Sequence, residues 1–218
     1  MRRSSVRQAP SRLLLHEKRL SRSGYRFIAG IDEAGRGPLA GPVVASAVIL
    51  KHLNFKADVD DSKKLSPRKR EKAYREIMKK AIVGIGMVSE KVIDRINIYQ
   101  ATIKAMEIAV ADLKIPPDYL LVDGRTMRIA ARCPVKCIVR GDSKSLSIAA
   151  ASIIAKVTRD RLMVKYHDIY PEYNFARHKG YPTKLHKMAL EKHGPSPIHR
   201  FSFQPVKRAQ KLGNSSVL

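Results

Sequence analysis

Asp32 and Glu33 close an apolar run, Phe27-Ile28-Ala29-Gly30-Ile31. Asp123 closes another, Tyr119-Leu120-Leu121-Val122, and Asp142 opens a long Ala-rich helical segment. The chain holds 43 Lys and Arg against 19 Asp and Glu, so acids are scarce. A carboxylate at the end of a buried strand costs desolvation energy unless a cation neutralises it. A divalent ion does so through hard oxygen ligands, and Mg²⁺ or Mn²⁺ suits an all-carboxylate set. Two such ions can activate a water and neutralise a leaving oxyanion, which is the chemistry of a two-metal phosphodiester hydrolase. Singly, each acid has a plainer reading. Asp123-Gly124 fits a turn, Asp142 fits the cap of the next helix, and Asp32-Glu33 fits a polar turn after a strand. The four together, in an acid-poor chain, point to catalysis.

Neighbouring strand residues face opposite ways, so Asp32 and Glu33 reach one site only if the strand ends there. Gly35 and Gly37 permit that turn and let backbone amides approach a ligand, and Arg36 between them is a donor on the same loop. Lys63 and Lys144, each following Asp-Ser, are either phosphate contacts or surface lysines at helix starts. Asp160 reads as a helix-surface carboxylate paired with a basic neighbour. His178, His193 and His199 read as structural or backbone-contacting. Cys133 and Cys137 lack a second Cys/His pair for a zinc site and read as reduced thiols.

A net charge of +24 and a pI near 10.3 favour a polyanionic partner, nucleic acid first. No stretch approaches the roughly 18 apolar residues of a membrane span, and Leu13-Leu14-Leu15 is too short for a signal-peptide core. A cytoplasmic, monomeric protein with no membrane role is expected.

The elements that must position these residues follow from patterning. Strands are expected at Phe27–Asp32, Val43–Leu50, Ala81–Ser89, Asp118–Asp123 and Val135–Val139, the first two as an antiparallel hairpin across Gly- and Pro-rich residues. Helices are expected at about Leu13–Leu20, at Pro67–Lys80 with Ser66 as N-cap, at Lys91–Lys114, at Asp142 to about His167, and at Thr183–Glu191. The fold class is α/β, a mixed sheet of these five strands covered by helices. Residues 1–24 are expected to be a mobile basic extension adding nonspecific phosphate affinity, residues 25–206 the catalytic domain, and 207–218 a basic tail.

Gly30-Ile31-Asp32-Glu33-Ala34-Gly35-Arg36-Gly37-Pro38-Leu39-Ala40-Gly41-Pro42-Val43 resembles the N-terminal signature of ribonuclease HII, the type 2 ribonucleases H. Further blocks resemble that family in its order: Asp61–Ser66 (DSKKLS), Asp123-Gly124, Gly141-Asp142-Ser143, Ser147–Arg161 (SIAAASIIAKVTRDR), His178–Thr183 and His193–Arg200. The resemblance implies the ribonuclease H fold, a mixed five-stranded sheet flanked by helices with a C-terminal helical part. It also implies cleavage of the RNA strand of RNA–DNA hybrids, and incision 5′ of ribonucleotides embedded in duplex DNA. It implies that Asp32, Glu33, Asp123 and Asp142 are the metal-binding carboxylates. It implies that Gly35, Arg36 and Gly37 sense the 2′-hydroxyl, and that Tyr181 stacks on the adjoining deoxyribose.

Two rivals remain open on sequence alone. A type HIII enzyme shares the catalytic fold but typically carries a large N-terminal substrate-binding domain, for which the residues before Phe27 are too few. A noncatalytic basic RNA-binding protein would explain the charge but not the clustered acids; its binding should survive EDTA, whereas cleavage should stop.

Overall fold

The computed structural model describes residues 11–53, 55–57 and 59–215. Its strands are β1 (Ile28–Ala34), β2 (Val43–Leu50), β3 (Ala81–Val88), β4 (Tyr119–Asp123) and β5 (Val135–Ile138). Its helices are α1 (Leu15–Arg22), α2 (Pro67–Lys80), α3 (Glu90–Ala111), α4 (Leu146–Ile169), α5 (Phe175–His178), α6 (Lys184–His193) and α7 (Gln204–Ser215). The sheet order is β3-β2-β1-β4-β5. β1, β2 and β3 pair antiparallel, while β1 with β4 and β4 with β5 pair parallel. This is the mixed five-stranded sheet that the patterning predicts.

Alternation along the central strands sends side chains into two cores. Ala29, Ile31, Ala45, Ala47 and Val122 pack on one face with Ile93, Met106 and Ala109 of α3. Val48 packs on the other with Ala73 and Ile77 of α2 and Ala149–Ala151 of α4. The small residues of α4 let it lie almost against β1. A Cβ at Gly30 would stand 2.1 Å from the Ser147 carbonyl carbon, so Gly30 is required by the approach of the two backbones. Ser66 caps α2 by accepting from Lys69 N, with Pro67 first in the helix, as its sequence signals.

Three expectations are corrected. The helix over Lys91–Lys114 is broken at Asn97 (φ 65°, ψ 165°) and ends at Ala111. The Asn97 side chain accepts from the amides of Tyr99 (2.9 Å) and Gln100 (3.1 Å), capping the second stretch from within. Asp142 does not open α4; it sits on a 3-10 turn, Gly141–Ser143, and Ser145 is the cap, accepting from Ile148 N. The basic extension is not mobile from Ser11 onward. Leu13 and Leu14 are buried in the α2–α4 core. Glu17 of α1 is also buried, and its Oε1 accepts from the Ser145 hydroxyl (2.6 Å), the Ser147 hydroxyl (2.8 Å) and the Ser147 amide (3.0 Å). Residues 1–10 lie outside the described residues. The tail is helical as α7, with Val206 and Ala209 buried beside Leu190 and Ile198; residues 216–218 lie outside the described residues.

Candidate active site

The two Asp-bearing strands are neighbours. β1–β4 pairing runs from Ile28↔Tyr119 to Ile31↔Val122, so Asp32 and Asp123 stand one step past the last pair, on the α4 side of the sheet. β1 itself continues to Ala34 against β2, with Glu33 opposite Ala45. The expectation that the strand stops at Asp32 is therefore corrected: it ends only toward β4. Asp32 and Glu33 leave the strand on opposite faces, yet the charge of Asp123 acts on both carboxylates.

The carboxylates sense one another. Asp32 is buried, and its carboxyl is pushed well above the ordinary range by burial, then by the charges of Glu33 and Asp123. Hydrogen bonds from the Glu33 amide (2.8 Å) and from Ser152 oppose the rise. Glu33 is raised by burial and by Asp123, against the pull of Arg36, whose Nη1 lies 3.3 Å from Glu33 Oε1. Asp142 is raised by burial and by Asp61 and Asp123, and Lys63 Nζ lies 3.5 Å from its Oδ2. Asp123 Oδ1 accepts from the amide of Gly141 at 2.6 Å, tying the end of β4 to the turn that carries Asp142. Burial lowers the Lys63 ammonium, but Asp142, Asp61 and Asp32 outweigh it and hold the group above its usual value.

This donor set fits hard divalent ions. The Asp123 charge helps raise Asp32, Glu33 and Asp142, and Glu33 Oε2 is buried with no hydrogen-bond partner among the described residues. Among the described residues no three His, Cys, Asp or Glu side chains are drawn together as a ready-made metal site, so the fit rests on the chemistry of the four carboxylates and not on a preformed ligand cluster. Lys144, the other lysine after Asp-Ser, is exposed, and its charge bears on His16 rather than on the shifted carboxylates.

The loop after β1 is held from beneath by two arginines that sequence patterning does not single out. Arg159 donates to the carbonyls of Pro42 (2.9 Å), Lys179 (2.9 Å) and Ala40 (3.0 Å). Arg200 donates to those of Gly41 (2.9 and 2.8 Å), Arg36 (3.1 Å) and Gly35 (2.6 Å). Both are essentially inaccessible to solvent. Burial lowers Arg159 to about 10; burial and then the Arg159 charge lower Arg200 to about 9, so both stay cationic at neutral pH. With these carbonyls turned inward, no loop hydrogen bond among the described residues uses the amides of Gly35, Arg36 or Gly37; Gly35 is buried, while Arg36 and Gly37 are exposed. Gly35 has φ +100°, and a Cβ there would stand 2.2 Å from Arg159 Nε, so this position takes only glycine. Both arginines lie inside blocks that carry the resemblance; their burial was not legible there, because arginine is mostly a surface residue.

Tyr181 is brought to this loop from the chain's far end. Its ring is partly exposed, and a Cβ on Gly37 would meet Tyr181 Cε1 at 3.7 Å. The Tyr181 carbonyl accepts from His186 Nδ1 at 2.9 Å. Ser196 N donates to His199 Nδ1 (2.9 Å), which leaves His199 Nε2 as donor to His186 Nε2 (3.0 Å). His178 and His199 therefore contact backbone, as their context suggested. Asp160 pairs with Lys156 at 2.8 Å, and both cysteines are free thiols.

Carboxylates at the open ends of adjacent parallel strands in this sheet order define a ribonuclease H-type nuclease. The fold is similar to ribonuclease H2 from Pyrococcus horikoshii (TM-score 0.73, 28% identity, 85% of this chain and 98% of that one). It is also similar to Bst-RNase HIII solved in complex with Mn²⁺ (TM-score 0.68, 17% identity, 87% and 70%), a likeness of fold alone. The sequence model described as Ribonuclease HII matches residues 29–206. Ribonuclease HII of Geobacter sulfurreducens is 56% identical over 200 residues, covering 91% of each chain. The chain belongs to the ribonuclease HII family and is a metal-dependent endoribonuclease of the ribonuclease H type. Membership sets aside both the type HIII and the noncatalytic alternatives.

Proposed function

We propose that this enzyme hydrolyses the RNA strand of RNA–DNA hybrids and incises 5′ of ribonucleotides embedded in duplex DNA, so serving the removal of misincorporated ribonucleotides and RNA primers. Asp32, Glu33, Asp123 and Asp142 hold two Mg²⁺ or Mn²⁺ ions. When bound, these ions activate the attacking water and neutralise the leaving oxyanion, giving 5′-phosphate and 3′-hydroxyl ends. The observation that carries this reading is the position of Asp32 and Asp123 just past the last β1–β4 pair, beside the orphaned Glu33 Oε2.

The chain's own groups do the rest. Gly35, Arg36 and Gly37 offer backbone donors to the 2′-hydroxyl, the group that separates ribose from deoxyribose. Arg36 pairs with Glu33 in the free protein and would be released toward a substrate phosphate were Glu33 to hold a metal. Lys63 stands by Asp142 and is set for a phosphate in the same way; Lys144 has no such placement, and its role as a phosphate contact is the weaker part of the reading. Tyr181 lays its ring on the next sugar, where a 2′-hydroxyl would clash. Among the described residues no helix is long and apolar enough to cross a membrane, and we place the enzyme in the cytoplasm as a monomer.

The test is to incubate the protein with duplex DNA holding a single ribonucleotide, with Mg²⁺ or Mn²⁺, and to map the nick. A cut on the 5′ side of the ribonucleotide that vanishes in EDTA is expected. Cleavage of continuous hybrids alone would overturn the embedded-ribonucleotide half of the reading.

A further inference from the structure

Beyond Tyr181 the surface sinks into a groove of about 540 Å³ between the start of α2, the outer face of α4 and α5. Arg70, Lys156, Arg161, Arg177 and Lys179 line it, against two acids, Glu71 and Asp160. The acids are already satisfied: Asp160 by Lys156 at 2.8 Å, and Glu71 by Arg75 at 3.2 Å and by Arg161. Arg177 is exposed and makes no ion pair or side-chain hydrogen bond to the described residues. Lys179 donates only to a carbonyl, that of Ala176. The groove thus keeps an excess of positive charge that nothing in the described fold neutralises.

Its position gives that charge a direction. Tyr181 forms the wall between the groove and the active-site loop: on one side Cε1 faces Gly37, on the other Lys156 Nζ lies 5.6 Å from the ring centroid. A strand that passes Gly35-Arg36-Gly37 and lays its next sugar on Tyr181 has its continuing backbone at the mouth of this groove. Cations that outnumber acids, with the acids internally paired, suit phosphodiesters.

We propose that this groove seats the sugar–phosphate backbone of the DNA that continues 3′ of the ribonucleotide, with Arg177 and Lys179 on its phosphates. The proposal rests on the reading of Tyr181 given above. It predicts that affinity depends on how far the DNA extends on that side, independently of catalysis.

The experiment measures binding by fluorescence anisotropy in EDTA, across a range of salt. Two duplexes each carry one ribonucleotide and share the same complementary strand. In one the ribonucleotide-bearing strand ends at the first deoxynucleotide past the ribonucleotide; in the other it continues for a full helical turn. The parent should bind the longer duplex more tightly. Arg177→Glu, and separately Lys179→Gln, should weaken the longer duplex several-fold and leave the shorter one nearly unchanged. For the longer duplex the slope of log K against log salt should become shallower by about 0.9 for each phosphate that the variant no longer neutralises. Arg177 is exposed, so its variant should fold, and Arg177→Ala serves if Arg177→Glu does not. Equal weakening of both duplexes, or of neither, overturns the proposal. So does weakened binding of a polyglutamate peptide with the longer duplex unaffected, which would make the groove a docking site for an acidic protein. Failure of the parent to nick either duplex in Mg²⁺ would instead sink the cleavage reading and leave this binding difference to be judged on its own.

Discussion

Arg200 Nη2 donates to the carbonyl of Gly35 at 2.6 Å from a fully buried position, and its guanidinium faces carbonyls rather than a carboxylate. A buried cation normally needs an opposite charge. Here the carbonyls of Gly35, Arg36 and Gly41 supply the compensation, with four bonds from one planar fork. The arrangement converts a Gly-rich segment with little conformational preference into a fixed surface, which is what discrimination of one hydroxyl requires.

Arg200→Lys keeps the charge but loses the fork. Each buried carbonyl left unpaired costs about 1–3 kcal/mol, so the variant should unfold at lower urea concentration. At a temperature where it is still folded, kcat/KM on the single-ribonucleotide duplex should fall more than its affinity for all-DNA duplex. Parent-like cleavage by folded Arg200→Lys would show that the loop needs no such anchor.

Asp32→Asn and Asp123→Asn should each reduce cleavage by more than the roughly 10–100-fold ordinary for outer partners of a metal site, while substrate binding in EDTA persists. The Asp32 carboxyl is raised by burial and by Glu33 and Asp123, so its removal relieves repulsion in the metal-free protein. Asp32→Asn should therefore melt no lower than the parent without metal. Near-parent turnover at saturating Mg²⁺ or Mn²⁺ would remove these residues from the catalytic set.

The central hairpin, the fourth strand, the capped α2 and the small-residue stretch of α4 were legible because each is written in local pattern: alternation, Ser-Pro, consecutive alanines. The carboxylates were legible because acids are scarce here. What stayed hidden is set by tertiary contact. Asn97 breaks α3 with its own side chain, which the periodicity of Ile93, Ile96 and Ile103 conceals. Leu13 and Glu17 look like parts of a basic tail until Leu13 is seen in the α2–α4 core and Glu17 accepting from Ser145 and Ser147. Removing residues 1–24 would therefore open the core, and is no clean probe of phosphate affinity. Arg159 and Arg200 were invisible because one-dimensional pattern cannot distinguish a buried arginine from the many exposed ones.

Gly37→Ala and Tyr181→Ala should act differently. An alanine Cβ at position 37 would meet Tyr181 Cε1 at 3.7 Å, an ordinary contact, so Gly37→Ala should fold normally. It should nevertheless impair every substrate, because under the proposed role of this loop the methyl group would stand in the path of the ribose. Tyr181→Ala should hurt most at an RNA–DNA junction, in the single-ribonucleotide duplex, and less on continuous hybrid. The check is the ratio of kcat/KM on those two substrates for each variant. An unchanged ratio in Tyr181→Ala would make the ring a packing residue beside α6.

His186 and His199 should make stability fall as the solution is acidified. Burial lowers both, opposed at His186 by its bond to the Tyr181 carbonyl and reinforced at His199 by the His186 ring, so that they stand at about 4 and about 3. An unfolded histidine titrates near 6.5. Between those limits the unfolded chain binds more protons than the native one, so stability rises with pH through this window. It is fully present above about 6.5 and is lost progressively as pH falls toward the folded values. Protonation of either ring would break the chain from Ser196 through His199 and His186 to the Tyr181 carbonyl, since one nitrogen of each must accept. Urea midpoints at neutral pH and near pH 5 should therefore differ in the parent. The difference should shrink in His199→Gln, which is uncharged at both pH values. If the variant retains the parent's full pH dependence, the two histidines are not the groups that titrate.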